Sequence, residues 1–448
     1  MSPPSHIPDA PASMPVAIPR AHRGAQASIC FSVEIETTTP ILGGAPTTRS
    51  IDETDIIRIP AIRGHLRFWW RALQVREQGS AETLYQDESR LWGKAADKTG
   101  AGRSVVEISV HSIRPGTIDR GTSAAEGPGA YALWPARPPR EGGGAAPSRL
   151  KGVRFTLTIV VSSSDADLQA VRAALRAWVL FGGYGSRTRR GVGSLTVRGP
   201  DPASWLPKMD AEDDTGEELA VSLHALFSPR LFATPSAKTD YPSLQGATLL
   251  VGALERDGEA AWHTALSWLQ RFRQAPVGRD PRPRGMPPGQ SRWPEADKLR
   301  LLTNRTGHPP RYTDKTAAWP RADFGLPIVG RFKDRGEPRD FTLTWHDGKD
   351  QRDRMASPVI VKALPTRQGY RPCVLWLSRN HPPGQVIAID TGTRNSPARF
   401  PAAFGSVGTA ADHHQARKLH SPLAGKSSVK EAFLDWVRTH KDVVQVPL

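Results

Sequence analysis

Cysteine is nearly absent. Cys30 and Cys373 are the only two among 448 residues. Two thiols cannot furnish a four-cysteine zinc site, and they lie too far apart for the close-spaced pair of a zinc finger. They imply no disulfide framework either. That fits a reducing, cytoplasmic setting and gives no reason to expect a metal or other cofactor.

Long apolar runs are missing too. Nothing approaches the ~20 residues of a membrane span, so no membrane partner is expected. The first 25 residues, "MSPPSHIPDAPASMPVAIPRAHRGA", lack the apolar core of a signal peptide and read as a disordered, Pro-rich arm over 1–25. Acidic residues are in deficit: 44 Asp plus Glu face 60 Lys plus Arg, a formal charge of +16. Clustered cations gain by releasing counterions from phosphates, so a polyanionic partner is favoured. Arg prevails in the basic motifs, and it suits bidentate phosphate contacts. No nucleophile elbow and no HExxH pair is present.

What is there suggests two domains, since 448 residues exceed one ordinary core. "ASICFSVEIETTTP" alternates, with Ile29, Phe31, Val33 and Ile35 on one side, and predicts a strand. "IPAIRGHLRFWWRALQ" predicts a helix with Ile62, Leu66, Trp69, Trp70 and Leu73 on its core face. "RSVVEISVHSI" and "GVRFTLTIVVS" predict strands, and "DADLQAVRAALRAWVLFGG" a helix stopped by Gly182 and Gly183. "SLTVRG" closes the set as a strand. Residues 114–150, rich in Gly, Ala, Pro and Arg, read as an irregular insertion. The order strand, helix, strand, strand, helix, strand matches a split βαβ plan. We therefore expect a first domain over 26–200, an acidic linker over 201–218, and a second domain over 219–448 that repeats the plan with decorations.

"FGGYGSRTRRGVGSL", residues 181–195, concentrates Gly182, Gly183, Gly185, Gly191 and Gly193 around Arg187, Arg189 and Arg190. It is no Walker loop, because Gly-Lys-Ser/Thr is missing, and it follows a helix rather than opening one. Two readings stand. It is a phosphate cradle, with glycines admitting backbone N–H groups and arginines adding charge, or it is a turn with solvated arginines. Arg63, Arg67 and Arg71 recur every fourth residue and form either a solvated face or an RNA-backbone contact. Trp69 and Trp70 serve the core or a base-stacking platform, and Trp70, at the edge of the apolar arc, is the better stacking candidate. His65 is a candidate general acid or base or a contact residue. Asp52 and Asp55 could activate a 2′-hydroxyl or hold a metal, or else cap a helix or sit solvated in their loop. His413, His414 and His420 lack companion ligands at a metal-binding spacing.

"TPILGGAPTTRSIDETDIIRIPAIRGHLRFWWRAL" together with "FGGYGSRTRRGVGSL" resembles the RAMP superfamily of CRISPR proteins. Within it the chain is similar to the first-numbered, head-capping subunit family of the type III-B (Cmr) effector. "SRWPEADKLR", "RADFGLPIVGRFK" and "DRMASPVIVKAL" extend the likeness over about 30–380. The resemblance implies an α+β fold of two tandem ferredoxin-like (RRM-type, split βαβ) domains with irregular insertions. It implies a non-catalytic RNA-binding subunit at the head of an antiviral ribonucleoprotein, near the 3′ end of the CRISPR RNA (crRNA). Its partners would be crRNA, target single-stranded RNA, the second head subunit and the backbone subunit, with the small subunit a further candidate. Cleavage would belong to other subunits. The matching positions are Arg63, Gly64, Arg67 and Arg71 in the first motif. In the second they are Gly182, Gly183, Gly185, Arg187, Arg189, Arg190, Gly191 and Gly193, with Arg354 in "RMASP" a further candidate. The competing expectation is a metal-independent endoribonuclease of the same fold that trims crRNA with His65. A third is a scaffold that touches only protein.

Overall fold

The computed structural model describes residues 28–45, 47, 49–74, 81–97, 100–119, 128–138, 144–212, 215–227, 239–274, 291–332, 334–352, 354–390 and 398–448. The arm expected at 1–25 lies outside the described residues, as do 120–127 and 139–143 of the expected insertion.

The first domain holds the predicted elements in their predicted order, with one further helix, Ala81–Trp92, that is not among them. Its longer elements are β1 (Ile29–Thr37), α1 (Ile59–Ala72), α2 (Ala81–Trp92), β2 (Val106–Arg114), β3 (Arg154–Val161), α3 (Asp165–Phe181) and β4 (Leu195–Arg198). Alternation builds the strands: Val33 pairs with Leu157 and Ile35 with Phe155, so apolar side chains of neighbouring strands share one face. The sheet runs β2–β3–β1–β4, with every pairing antiparallel. Pro60 occupies the first turn of α1, where its missing N–H costs nothing. Ser164 caps α3 by accepting from the N–H of Asp167. Ile62, Leu66, Trp69, Leu175 and Trp178 bury together over the sheet.

The segment expected as a linker is packed instead. Leu206 and Met209 are buried, and α4 (Glu217–Leu226) begins inside it. Leu219 and Leu223 join the first core, so the acidic residues of this stretch decorate an anchored connection. Asp213 and Asp214 lie outside the described residues.

The second domain comprises β5 (Ser243–Val251), α5 (Gly258–Gln274), α6 (Pro294–Thr303), β6 (Ile328–Gly330), β7 (Phe341–His346), β8 (Val359–Pro365), β9 (Tyr370–Ser378), β10 (Gln385–Asp390), β11 (Arg399–Ala403), α7 (Ala410–Leu419), α8 (Val429–Arg438) and β12 (Val444–Gln445). Its main sheet runs β8–β9–β5–β12. With α5 and α8 in the crossovers, this repeats the strand order of the first sheet. The decoration is a sheet of its own, β6–β7–β10–β11. "EPRDFTLTWH" therefore pairs there, through β7, and not in the main sheet. Leu299, Trp319, Phe341, Leu343 and Val386 give that sheet a separate small core. The mixed helix-and-sheet architecture is the α+β class expected.

Two features explain how the halves join. Strand β8 is buried along its whole length. Ile360 and Leu364 on one face join the core of the first domain, while Val359, Val361 and Ala363 on the other pack with Trp262 and Leu266 of α5. A strand covered on both faces reads as a continuous apolar run, as "VIVKALP" does. The 114–150 insertion is anchored as well: Ala132, Leu133 and Ala136 bury in the second core, and Arg49 donates to the carbonyls of Pro135 and Arg137 at 2.5 and 2.9 Å.

Helix α6 lies where no periodicity is visible. Its buried side chains include Glu295, Asp297, Lys298 and Arg300. They pair internally: Lys298 reaches Asp412 of α7 at 2.7 Å, and Arg300 reaches Asp297 at 2.5 Å and Glu337 at 2.7 Å. Burial of charges is tolerable only with such partners.

Candidate nucleic-acid interface

The arginine stripe of α1 forms as predicted, but it faces protein. Arg67 Nε and Arg71 both meet Oε1 of Glu88 on α2, at 2.6 and 2.5 Å. Glu88 is only 4% exposed, so one buried carboxylate balances two guanidinium groups. Arg63 donates to the Ser104 hydroxyl at 2.9 Å and the Val106 carbonyl at 3.2 Å. The stripe thus clamps α1 to α2 and β2. Gly64 sits exposed in the helix with open space where a Cβ would stand. Trp70 is corrected from a stacking platform to a core residue: its side chain is 4% exposed, packed in the first core, and offers no free ring face.

The glycine-arginine loop leaves α3 and turns back toward β4. Its backbone donors are largely committed. The N–H groups of Tyr184, Ser186 and Gly193 go to the carbonyls of Gly193, Leu42 and Pro40 at 2.8, 2.8 and 2.7 Å. Those of Gly182, Arg190 and Gly191 go to Trp178, Arg187 and Thr188. These donors are unavailable to cradle phosphates. The glycines have an internal reason: Gly191 takes φ +76°, and a Cβ there would strike the Trp262 ring. Gly182, Gly183, Gly185 and Gly193 likewise press on neighbouring protein atoms.

The three arginines part ways. Arg189 donates to the Ser357 carbonyl and lies 5.4 Å from the Phe68 ring. Arg190 donates to the Val359 carbonyl at 3.2 Å and stands 3.4 Å from the Ser357 hydroxyl. Both bind the start of β8 in the other domain. Burial pushes the guanidinium of Arg189 down to about 10 and that of Arg190 to about 9. "RMASP" is therefore where the loop docks, through Ser357, while Arg354 remains exposed beside it.

Arg187 alone faces outward into a groove. It takes φ +63°, and its Nε donates to the Ala132 carbonyl at 3.0 Å. The groove has a volume of about 440 Å³ and is lined by Tyr131, Trp134, Arg187, Arg273, Gln274, Arg321, Ile328 and Val329. None of these is acidic. Arg273 donates to the Tyr131 hydroxyl at 3.2 Å, and Arg321 stands 3.2 Å from Glu295. Burial lowers the guanidinium of Arg187 below its ordinary range, and Arg273 nearby pushes the same way. Trp134 is 62% exposed, with the Arg137 guanidinium 4.5 Å from its ring centre. An exposed aromatic ring beside Arg187 and Arg273, with Arg321 already balanced by Glu295, can stack a base and neutralise phosphates. Sequence reasoning missed Tyr131, Trp134, Arg273 and Arg321. An exposed tryptophan in an otherwise Pro- and Gly-rich insertion was the one available signal.

His65 lines a smaller cavity of about 250 Å³ with Phe68, Trp69, Gly182, Gly183 and Arg189. Its ring stacks on Trp178 at 5.8 Å, and burial pushes its pKa down to about 4. Asp52 accepts the N–H groups of Thr54 and Asp55 at 3.0 and 2.7 Å within its own loop, and these bonds hold its carboxyl below the usual range. Asp55 stands 3.5 Å from Arg58. Among the described residues no group of three or more His, Cys, Asp or Glu could hold a metal ion, and no helix is long and apolar enough to cross a membrane.

No curated protein matches the sequence. Among solved structures, the crystal structure of Cmr1 from Pyrococcus furiosus in its apo form is similar over 88% of this chain and 97% of that chain, at 15% identity and a TM-score of 0.42. A chain in the cryo-EM structure of type III-B Cmr-beta bound to cognate target RNA is similar over 78% of this chain and 94% of that one, at 11% identity and a TM-score of 0.41. A chain of a type IV-B CRISPR complex aligns over 41% of this chain and 96% of its own, at 16% identity and a TM-score of 0.26. The family model of the RAMP superfamily matches residues 34–196, from β1 through the glycine-arginine loop into β4. The resemblance read from the motifs is thus met by a family-model match over residues 34–196, the stretch that holds both motifs.

Proposed function

We propose that the chain is a non-catalytic, RNA-binding subunit of a type III-B CRISPR ribonucleoprotein. Both main sheets, with their paired crossover helices, are read as ferredoxin-like, RRM-type domains. The subunit would cap the head of the filament near the 3′ end of the crRNA, beside the other head subunit and the backbone subunit, and help capture target RNA for antiviral defence. What supports this is the RAMP match over 34–196, the repeated strand order and the basic balance of the chain. The observation that carries it is the groove in which Arg187, Arg273 and Arg321 surround exposed Trp134. Such a groove grips a single strand without reading its sequence, which base pairing to a guide would do instead.

The structural roles of Arg189 and Arg190 make Arg187 the informative position. Binding of single-stranded RNA across a salt series tests the reading in Arg187→Ala and Trp134→Ala. Loss of Arg187 should weaken binding and reduce the salt slope by ~0.7, the share of one phosphate on a single strand. Loss of Trp134 should cost about 1–3 kcal/mol of binding at every salt concentration. Wild-type affinity and slope in both variants would refute the interface.

A second reading rests on His65, whose ring edges a cavity beside Arg189. A processing endoribonuclease would cut repeat RNA without metal and lose that activity in His65→Ala. Equal, negligible cleavage by both proteins would dismiss it.

A further inference from the structure

Another cavity, of about 530 Å³, lies in the second domain between the end of α5, the stretch before α6, and the α7–α8 connection. Arg271, Phe272, Arg292, His420, Ser421 and Trp436 line it. His420 is 3% exposed, and neither of its ring nitrogens has a hydrogen-bond partner. Nε of Arg292 is also buried without one. The ring is not loosely held: Trp293 meets it at 4.6 Å and Phe272 at 5.2 Å between centres.

An unmet buried polar atom costs about 1–3 kcal/mol, so three around one cavity are expensive as mere packing. An aliphatic side chain would fill the position of His420 more cheaply. The unmet groups become favourable once an acceptor enters. Arg271, Arg292, His420 and Ser421 all line the cavity, and no lining residue is acidic. Burial, with Arg292 adding to it, holds His420 neutral, its pKa down to about 3. An entering dianion would reverse both effects and let the ring take up a proton and donate.

We propose that this cavity binds a phosphate monoester, with its oxygens held by Arg271, Arg292 and His420 and its organic body against Trp436 and Phe272. A carboxylate carries one charge and two acceptor atoms. A phosphate monoester carries up to two charges and three, which better matches two arginines and a histidine. The volume exceeds a bare phosphate and falls within the range of small-molecule sites. This assignment does not depend on the RNA groove, which is lined by different residues.

The full-length protein would be titrated with phenyl phosphate, phenol and inorganic phosphate, following heat and the imidazole resonances of His420. Phenyl phosphate should bind, move those resonances and release less heat in Arg292→Gln. Arg271→Ala, an exposed position that spares the core, should weaken binding about tenfold, the share of one charged hydrogen bond. A short RNA with a 5′ phosphate, compared with its 5′-hydroxyl form, separates the two sources of the group. Binding of phenyl phosphate assigns a small-molecule ester, and binding of the phosphorylated strand alone assigns a strand end. No response of His420 to any phosphate at millimolar concentration, or equal binding by both variants, overturns the proposal.

Discussion

Nζ of Lys362 donates to the carbonyl of Val179 at 2.9 Å, across the junction of the two domains. The same amine donates to the Gly182 carbonyl at 3.0 Å. A side chain of β8 thereby satisfies the open C-terminal end of α3, where helix carbonyls lack partners and the dipole is negative. Lys362 is fully buried, and among the described residues no carboxylate pairs with it. Burial pushes its pKa down to about 7.

The stability of the protein should therefore rise with pH between about 7 and the ordinary lysine value of 10.5. In that window the unfolded chain holds a proton that the folded chain lacks, so raising the pH favours the folded state by up to about 1.4 kcal/mol per pH unit. Below pH 7 the contribution is level. Lys362→Met should show a shallower rise across the same window in thermal unfolding. Identical slopes would mean that Lys362 stays charged in the fold.

Gly191→Ala should be severely destabilising. The position has φ +76°, and a new Cβ would meet the Trp262 ring and the Val361 carbonyl oxygen, the latter at 2.8 Å. The left-handed backbone alone costs an L-residue about 1–2 kcal/mol, and overpacking adds a similar amount. Urea unfolding measures the sum. A loss below 1 kcal/mol on the order of experimental error would show that the loop can withdraw from α5.

Lys298→Met should cost about 3–5 kcal/mol, because it strands the Asp412 carboxylate inside the protein. Asp412 also accepts the Thr409 N–H at 2.9 Å, which caps α7. Pairing the change with Asp412→Asn should recover part of the loss, since the unmatched charge disappears. A double-mutant cycle reads the coupling, and strict additivity would mean that the pair contributes nothing.

Glu88→Gln should loosen the clamp on α1 and free Arg67 and Arg71. If the groove captures RNA and the freed groups reach it, the salt slope of binding steepens by up to ~1.4, the sum for two phosphates on a single strand. If the arginines serve only the fold, thermal stability drops and the slope stays unchanged. Calorimetry and a salt series on one preparation separate the two.

Much of the first domain was legible because its pattern is simple. Alternation in β1 and β3 and the apolar stripes of α1 and α3 each report one buried face. Helix α6 was not, because charged residues read as surface until their partners are known, and Lys298 finds Asp412 far along the chain. The same limit governed the candidate site. Sequence placed Arg67 and Arg71 on one helix face but could not tell a phosphate partner from Glu88, which comes from the next helix. It also credited the loop glycines to a ligand, whereas Trp262 and Tyr184 of the chain itself fill the space. The repeated strand order survived large insertions because those insertions build a separate sheet.

The two-sided burial of β8 bears on how this chain can be made and cut. A fragment ending near residue 240 would leave the first core without Ile360, Leu364 and Leu375. The complementary fragment would expose those same side chains to water as a greasy plate. Neither piece is a self-sufficient module, despite the tandem plan. Ribosomal synthesis finishes most of the first core's sequence well before β8 emerges, so the nascent first half must wait, incompletely covered, for a strand that lies more than a hundred residues downstream of its own last strand β4. That interval is where a chaperone would have its opportunity, and where a premature stop codon would yield an aggregate instead of a working half.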